Sequence, residues 1–180
     1  MRQERRNAFP TVVLTTILLL AGCGSVLESD AEPDTTWWLT PTQFSAPSAD
    51  PAEPLGLQVR VVPGLDTDWV LTLDPDARLN HFAGAHWPEH LPEFLGSLVA
   101  RSLEASGRYR PVILRDHVHM GSCLLLLEVR RFWTRLDETR QARAVEVELA
   151  GRLECEGGTV TDQLFASAST PVAANRMPDI

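Results

Sequence analysis

The chain has no lysine. All sixteen of its basic side chains are arginine, set against twenty-four acids for a formal net charge of −8. A nucleic-acid surface needs the opposite sign, and charge alone is poorly suited to holding anionic lipid headgroups. The sequence also lacks G-x-S-x-G, a P-loop, H-E-x-x-H and any Cys-x-x-Cys pair. These are the compact signatures of a hydrolase elbow, a phosphate cradle, a zinc protease and a paired-thiol centre. No internal repeat occurs. No apolar run reaches the ~20 residues that span a bilayer as a helix.

One short apolar run is present, and it is the most informative feature. Arg2, Arg5 and Arg6 form a basic start, Val12 to Leu20 an apolar stretch, and Leu20-Ala21-Gly22-Cys23 closes it. This is the layout of a secretory signal peptide, and its last four residues resemble the bacterial lipobox. The resemblance implies cleavage before Cys23 and lipidation of Cys23 on its sulfur and new amino group. More than one acyl chain makes such an anchor effectively permanent, at ~0.8 kcal/mol per buried CH₂. Gly24 and Ser25 follow where an aspartate would signal inner-membrane retention, which implies sorting to the outer membrane, facing the periplasm. Removal of residues 1–22 would leave 158 residues and a net charge of about −10, enough chain for one domain with a real core.

Residues 24–54 are rich in Ser, Asp, Glu, Pro, Thr and Ala and read as a tether. Trp37-Trp38-Leu39 interrupts them, either as a first strand pinned to the domain or as a partner-binding segment. Leu55 to Val62 alternates as a strand and ends at the turn signal Pro63-Gly64. Trp69 to Leu73 and Arg78 to Phe82 are further strands around the turn Asp74-Pro75-Asp76. Trp87, Leu91, Phe94, Leu95, Leu98, Val99 and Leu103 then form one apolar stripe of an amphipathic helix. Pro88 suits its first turn, Pro92 bends or delays its start, and Gly107 stops it. Trp87 is expected to be a buried structural anchor where helix meets sheet. Pro111 to Leu114 is a short strand. Leu124 to Trp133 and Ala144 to Leu153 are the strongest strands, joined by the loop Asp137 to Gln141. Glu128, Glu146 and Glu148 are expected on a solvated sheet face. Thr159 to Ala166 is the last strand, and residues 167–180 read as a disordered tail. The expected organisation is a signal peptide at 1–22, a lipid-anchored tether at 23–34, one domain at 35–166 and the tail.

Of the five histidines, His86 with His90 and His117 with His119 are spaced to share a face. Pro88 disturbs the first pair and only Asp116 stands near the second, so no metal site and no cofactor is expected.

The order of these pieces resembles the ABC-type transport auxiliary lipoprotein family over roughly 130 residues. Trp37-Trp38-Leu39 lies where that family has an aromatic-aromatic-aliphatic segment, and Leu57 to Pro63 matches its next strand. Arg78-Leu79, with Trp87 opening a helix, matches the segment after it. Leu125-x-Leu127-x-Val129-Arg130-Arg131-Phe132 is similar to its most recognisable strand, and Phe165 stands at a late aromatic position. The family's C-terminal helix has no counterpart after Ala174. The resemblance implies an α/β fold, a mixed sheet with the amphipathic helix on one face, like the N-terminal domain of TolB. It implies a non-catalytic outer-membrane lipoprotein that docks the MCE-domain bridge of an ABC lipid-transport system and supports membrane integrity, with a homo-oligomer in keeping with ring-shaped partners. Two other readings stand beside it: a lipid-anchored periplasmic hydrolase, and a lipid carrier with a cavity lined by Leu, Val and Trp.

Cys123 and Cys155 are the two cysteines left once Cys23 is lipidated. The periplasm is oxidising. Counting equal steps outward from Thr139, an antiparallel hairpin pairs Trp133 with Val145 and Cys123 with Cys155, at Cα distances a disulfide can bridge. The alternatives are two free buried thiols, or a bulge that turns them to opposite faces.

Overall fold

A computed structural model describes residues 33–44, 53–114, 123–155 and 159–172. The described residues from Asp34 onward belong to one compact unit. Its strands are β1 (Thr35–Thr36), β2 (Glu53–Val61), β3 (Trp69–Leu73), β4 (Leu79–His86), β5 (Tyr109–Leu114), β6 (Cys123–Leu136), β7 (Ala142–Cys155) and β8 (Thr159–Pro171); α1 (Leu91–Ala105) lies between β4 and β5. The fold is α/β, a mixed sheet with one helix among the described residues. No helix among them is long and apolar enough to cross a membrane.

β6 is the spine. Its first half pairs in parallel with β2, from Leu55 opposite Cys123 to Val61 opposite Val129, and its end pairs in parallel with β3 at Thr72–Thr134. β2 and β3 therefore lie end to end along one edge of β6. Gly64, at φ 94°, makes the step between them, and Leu65, almost fully buried, plugs it. The apolar run Leu124–Leu127 is explained by this central position. Leu127 is buried against Leu57 and Ala100 of α1, and Leu125 packs beside them, so both contribute to the core between sheet and helix.

β6, β7 and β8 form a long antiparallel meander. The β6–β7 loop is tied by Asp137, whose carboxylate accepts from the Thr139 hydroxyl and from the backbone N–H groups of Thr139 and Gln141. The Thr139 hydroxyl first, then the backbone donors, hold its pKa down to about 2, with Arg143 adding charge attraction. A depressed pKa contributes stability above the ordinary value of 3.8 and loses it as pH falls through about 2. In a carbon-detected NMR titration Asp137 should titrate near 2, and Thr139→Val should raise its midpoint. A wild-type midpoint near 4, the free-carboxylate value, would show that the loop bonds do not form in solution.

The hairpin register differs from the equal-step count in its middle. Cys123 pairs with Cys155 and Val129 with Leu149, but Arg130 is left over as a bulge, so Trp133 stands opposite Glu146 and not Val145. Arg143 is left over on β7 and restores the register at Leu136–Ala142. The two extra residues compensate. Cys123 and Cys155 are joined by a disulfide, with Cα atoms 3.9 Å apart.

Three other expectations need correction. Ser167 to Pro171 are not a tail: they continue β8 along β7 as far as Pro171 opposite Ala144. Alternating small side chains form a strand there because β7 supplies backbone partners, not because they have apolar periodicity. Trp37-Trp38-Leu39 is not a strand. Only Thr35–Thr36 pair with β4, and Trp37 adds one bond, its N–H donating to the His86 carbonyl at 2.7 Å. Trp87 and Pro88 precede α1, which starts at Leu91 with Pro92 in its first turn, where a missing N–H costs nothing. Ser106 and the left-handed Gly107, at φ 75°, end the helix.

α1 packs on β2 and β5. A Cβ at Gly96 would stand 3.2 Å from Leu114, so this glycine sets how closely the helix approaches the sheet. Leu91, Phe94 and Leu95 enter a core with Leu65, Leu71 and Val129. Residues 37–44 run beside the helix as a strap: Leu39 packs against the same core, and the Thr42 N–H donates to the Ser102 hydroxyl. Phe94 is thus enclosed from the sheet side and the strap side, which the single expected stripe did not anticipate.

Candidate functional site

Two places stand out, an aromatic groove under the strap and the free edge of β8. The groove holds about 370 Å³ and is lined by Trp37, Trp38 and Leu39 of the strap, Val70 and Leu71 of β3, Trp87, Phe132 to Thr134 of β6, and Val145 and Val147 of β7. Trp87 is half-buried, not buried. It stacks on Phe94 at 5.3 Å between ring centres and meets Phe132 edge-on at 5.7 Å, while Trp38 meets Phe94 edge-on at 6.2 Å. Such ring pairs contribute ~0.5–1.5 kcal/mol each beyond area burial. The Trp87 backbone is fixed by its N–H donating to the Asp68 carbonyl. Trp38 remains 64% exposed.

No charged side chain lines this groove. The charges of β6 and β7 lie elsewhere, in a ladder. Glu146 accepts two bonds from the Arg135 guanidinium at 2.7 and 3.0 Å and one from the Trp133 indole N–H at 3.1 Å, and Arg131 pairs with Glu148 at 3.1 Å. The Arg135 bonds chiefly, helped by Trp133, hold the Glu146 pKa below the usual carboxylate range. Glu128 is solvated as expected, its side chain 50% exposed, but the Glu146 and Glu148 side chains are only 13% and 15% exposed and are covered by arginines. The long guanidinium stems lie over the carboxylates they neutralise.

The histidines go to separate carboxylates. His86 Nδ1 is 3.1 Å from Asp68, with Asp34 at 3.8 Å from its other nitrogen; Trp69 stacks between His86 and His81. His90 Nδ1 is 3.1 Å from Asp66, whose hydrogen bond raises the His90 pKa. Among the described residues no three His, Cys, Asp or Glu side chains are grouped to hold a metal. Asp116, His117 and His119 lie outside the described residues, as do Leu20, Ala21, Gly22 and Cys23.

The second place is β8. Among the described residues it pairs with β7 alone, leaving its other edge open over thirteen residues. Leu164 is 50% and Phe165 62% exposed, on alternate faces. Leu164 arches over Gly151, where a Cβ would stand 2.9 Å from Leu127. Phe165 was marked in the sequence as an aromatic position, but its exposure was not. The groove's β7 wall, Val145 and Val147, was legible only as alternation; nothing in the sequence joined it to the strap.

No family model and no curated protein matches the chain. Solved structures do. A Xanthomonas campestris protein described under the DUF330 family model superposes with a TM-score of 0.63 at 19% identity, covering 79% of this chain and 82% of that one. A second, described as uncharacterized, gives a TM-score of 0.60 at 14% identity over 82% of this chain and 86% of its own. At these identities the likeness is one of fold.

Proposed function

We propose that the protein is a non-catalytic, lipid-anchored adaptor of the outer membrane that docks the periplasmic MCE-domain bridge of an ABC lipid-transport system. Cys23 is its anchor and the TolB-like α/β domain its docking body. The observation that carries the reading is the open edge of β8 with Leu164 and Phe165 exposed on it. Natural proteins cover, shorten or charge such an edge when it has no partner, and an added strand is a common way to bind one. Residues 162–171 of β8 contain one charge, Asp162. The uncharged groove and the carboxylates tied up by arginines offer no convergent polar constellation for hydrolysis.

A photo-crosslinking residue placed at Phe165 should capture an MCE-domain protein in intact cells, and one placed at Arg101 on the helix should not. Equal yields from both positions, or no MCE-domain protein from Phe165, would reject the docking edge. Metabolic labelling with a fatty-acid analogue should mark the wild type and miss Cys23→Ser; equal labelling would reject the anchor.

A further inference from the structure

We infer that the groove under the strap binds one alkyl chain of a membrane lipid. Its lining has no charged side chain in a chain where 22% of residues are charged. A peptide would bring N–H and C=O groups, each needing a partner once out of water. The groove has few to offer, among them the Trp37 indole N–H, a single buried donor without a partner. β7 is paired along both edges, so its backbone is spent. The Trp133 N–H is spent on Glu146. Thr134, itself buried, is the one hydroxyl in the lining. An alkyl chain has no such need and is matched by indole and phenyl faces with Val145, Val147 and Leu39. At ~30 Å³ for a water-sized group, about 370 Å³ accommodates on the order of ten methylenes, too little for a whole lipid and suited to one chain.

The length of chain outside the described body supplies the source. Ten residues, Gly24 to Pro33, separate Cys23 from the start of the compact unit at Asp34. Extended, they reach at most ~33–36 Å, and as a flexible coil about 16–19 Å. The strap that follows forms one wall of the groove. An anchored molecule therefore keeps the groove within a few nanometres of a bilayer, where lipid chains are the abundant apolar ligand. This membrane source rests on the anchor proposed above; the groove chemistry does not.

The test uses tryptophan fluorescence of the full chain carrying Cys23→Ser, titrated with bromododecanoic acid below its micelle concentration and, separately, with vesicles of phosphatidylcholine brominated on one acyl chain. Both should quench saturably. Val145→Glu, which puts a carboxylate in the groove, and Val145→Trp, which fills it without charge, should each weaken quenching about tenfold or more. Leu164→Glu, outside the groove, should leave it unchanged, and circular dichroism identifies any variant that fails to fold. Quenching that never saturates, or that both folded Val145 variants retain, would overturn the site. Quenching by the free acid alone would overturn the membrane-lipid source. Neither result changes the crosslink at Phe165, so this inference and the docking reading fail separately.

Discussion

Phe94→Ala is expected to destabilise the domain by about 3–5 kcal/mol in a denaturant titration, the largest loss of any single side chain here. Phe94 is 1% exposed. Its ring meets the sheet core through Leu65, Leu71, Leu91 and Val129 on one side and Trp38 and Trp87 on the other. Truncation removes the transfer free energy of the ring and leaves a cavity that the β-sheet cannot close, because β2, β3 and β6 are locked by their ladders. It also takes away the ring on which both tryptophans rest, so the strap should loosen. Hydrogen exchange at Trp37 and Thr42 should rise in Phe94→Ala more than exchange at Val147 in the meander. A loss below about 1 kcal/mol, against the 3–5 expected of a buried aromatic, would mean the ring is not enclosed from both sides.

Replacing Cys123 and Cys155 together by serine should cost about 3–4 kcal/mol in the chain-entropy model, for a loop with a sequence separation of 32. The bond closes the far end of the β6–β7 hairpin from its loop, at the place where β2 begins to pair with β6. Reductant should lower the wild-type melting temperature and leave the double variant unmoved. In mass spectrometry the non-reduced protein should be two hydrogens lighter than the reduced one. Free alkylation of both thiols without reductant, or an unchanged melting temperature, would show that the strands hold this end without a crosslink.

Both features were readable from the chain to different depths. The period of 3.6 from Leu91 to Leu103 placed α1, and the alternation at Leu55 to Val61 and Val145 to Leu149 placed strands with one face inward, because side-chain direction follows backbone geometry residue by residue. The hairpin loop at Asp137 to Gln141 brought Cys123 and Cys155 into register by counting. The same count failed at Trp133, because bulges leave no residue-type mark: Arg130 and Arg143 look like any other arginines in a charged strand. Glu146 and Glu148 looked solvent-facing because burial of a carboxylate depends on which arginine lies across the strand, and that is set by the bulge.

What the amino-acid sequence determined by itself was local: the helix α1, the long strands, and an acidic, lysine-free composition. Tertiary structure alone decided that β2 and β3 share one edge of β6, that residues 167–171 extend a strand, and that the strap closes Phe94 against the helix. Each of these depends on contacts between residues far apart in the chain. Small residues such as Ala166, Ser167 and Ala168 have no preference strong enough to form a strand alone; the free backbone edge of β7 supplies the bonds. The groove is a product of the same kind. Trp37, Trp87, Phe132 and Val145 come from four separate segments, and only the sheet and its crossing strap bring them around one uncharged space.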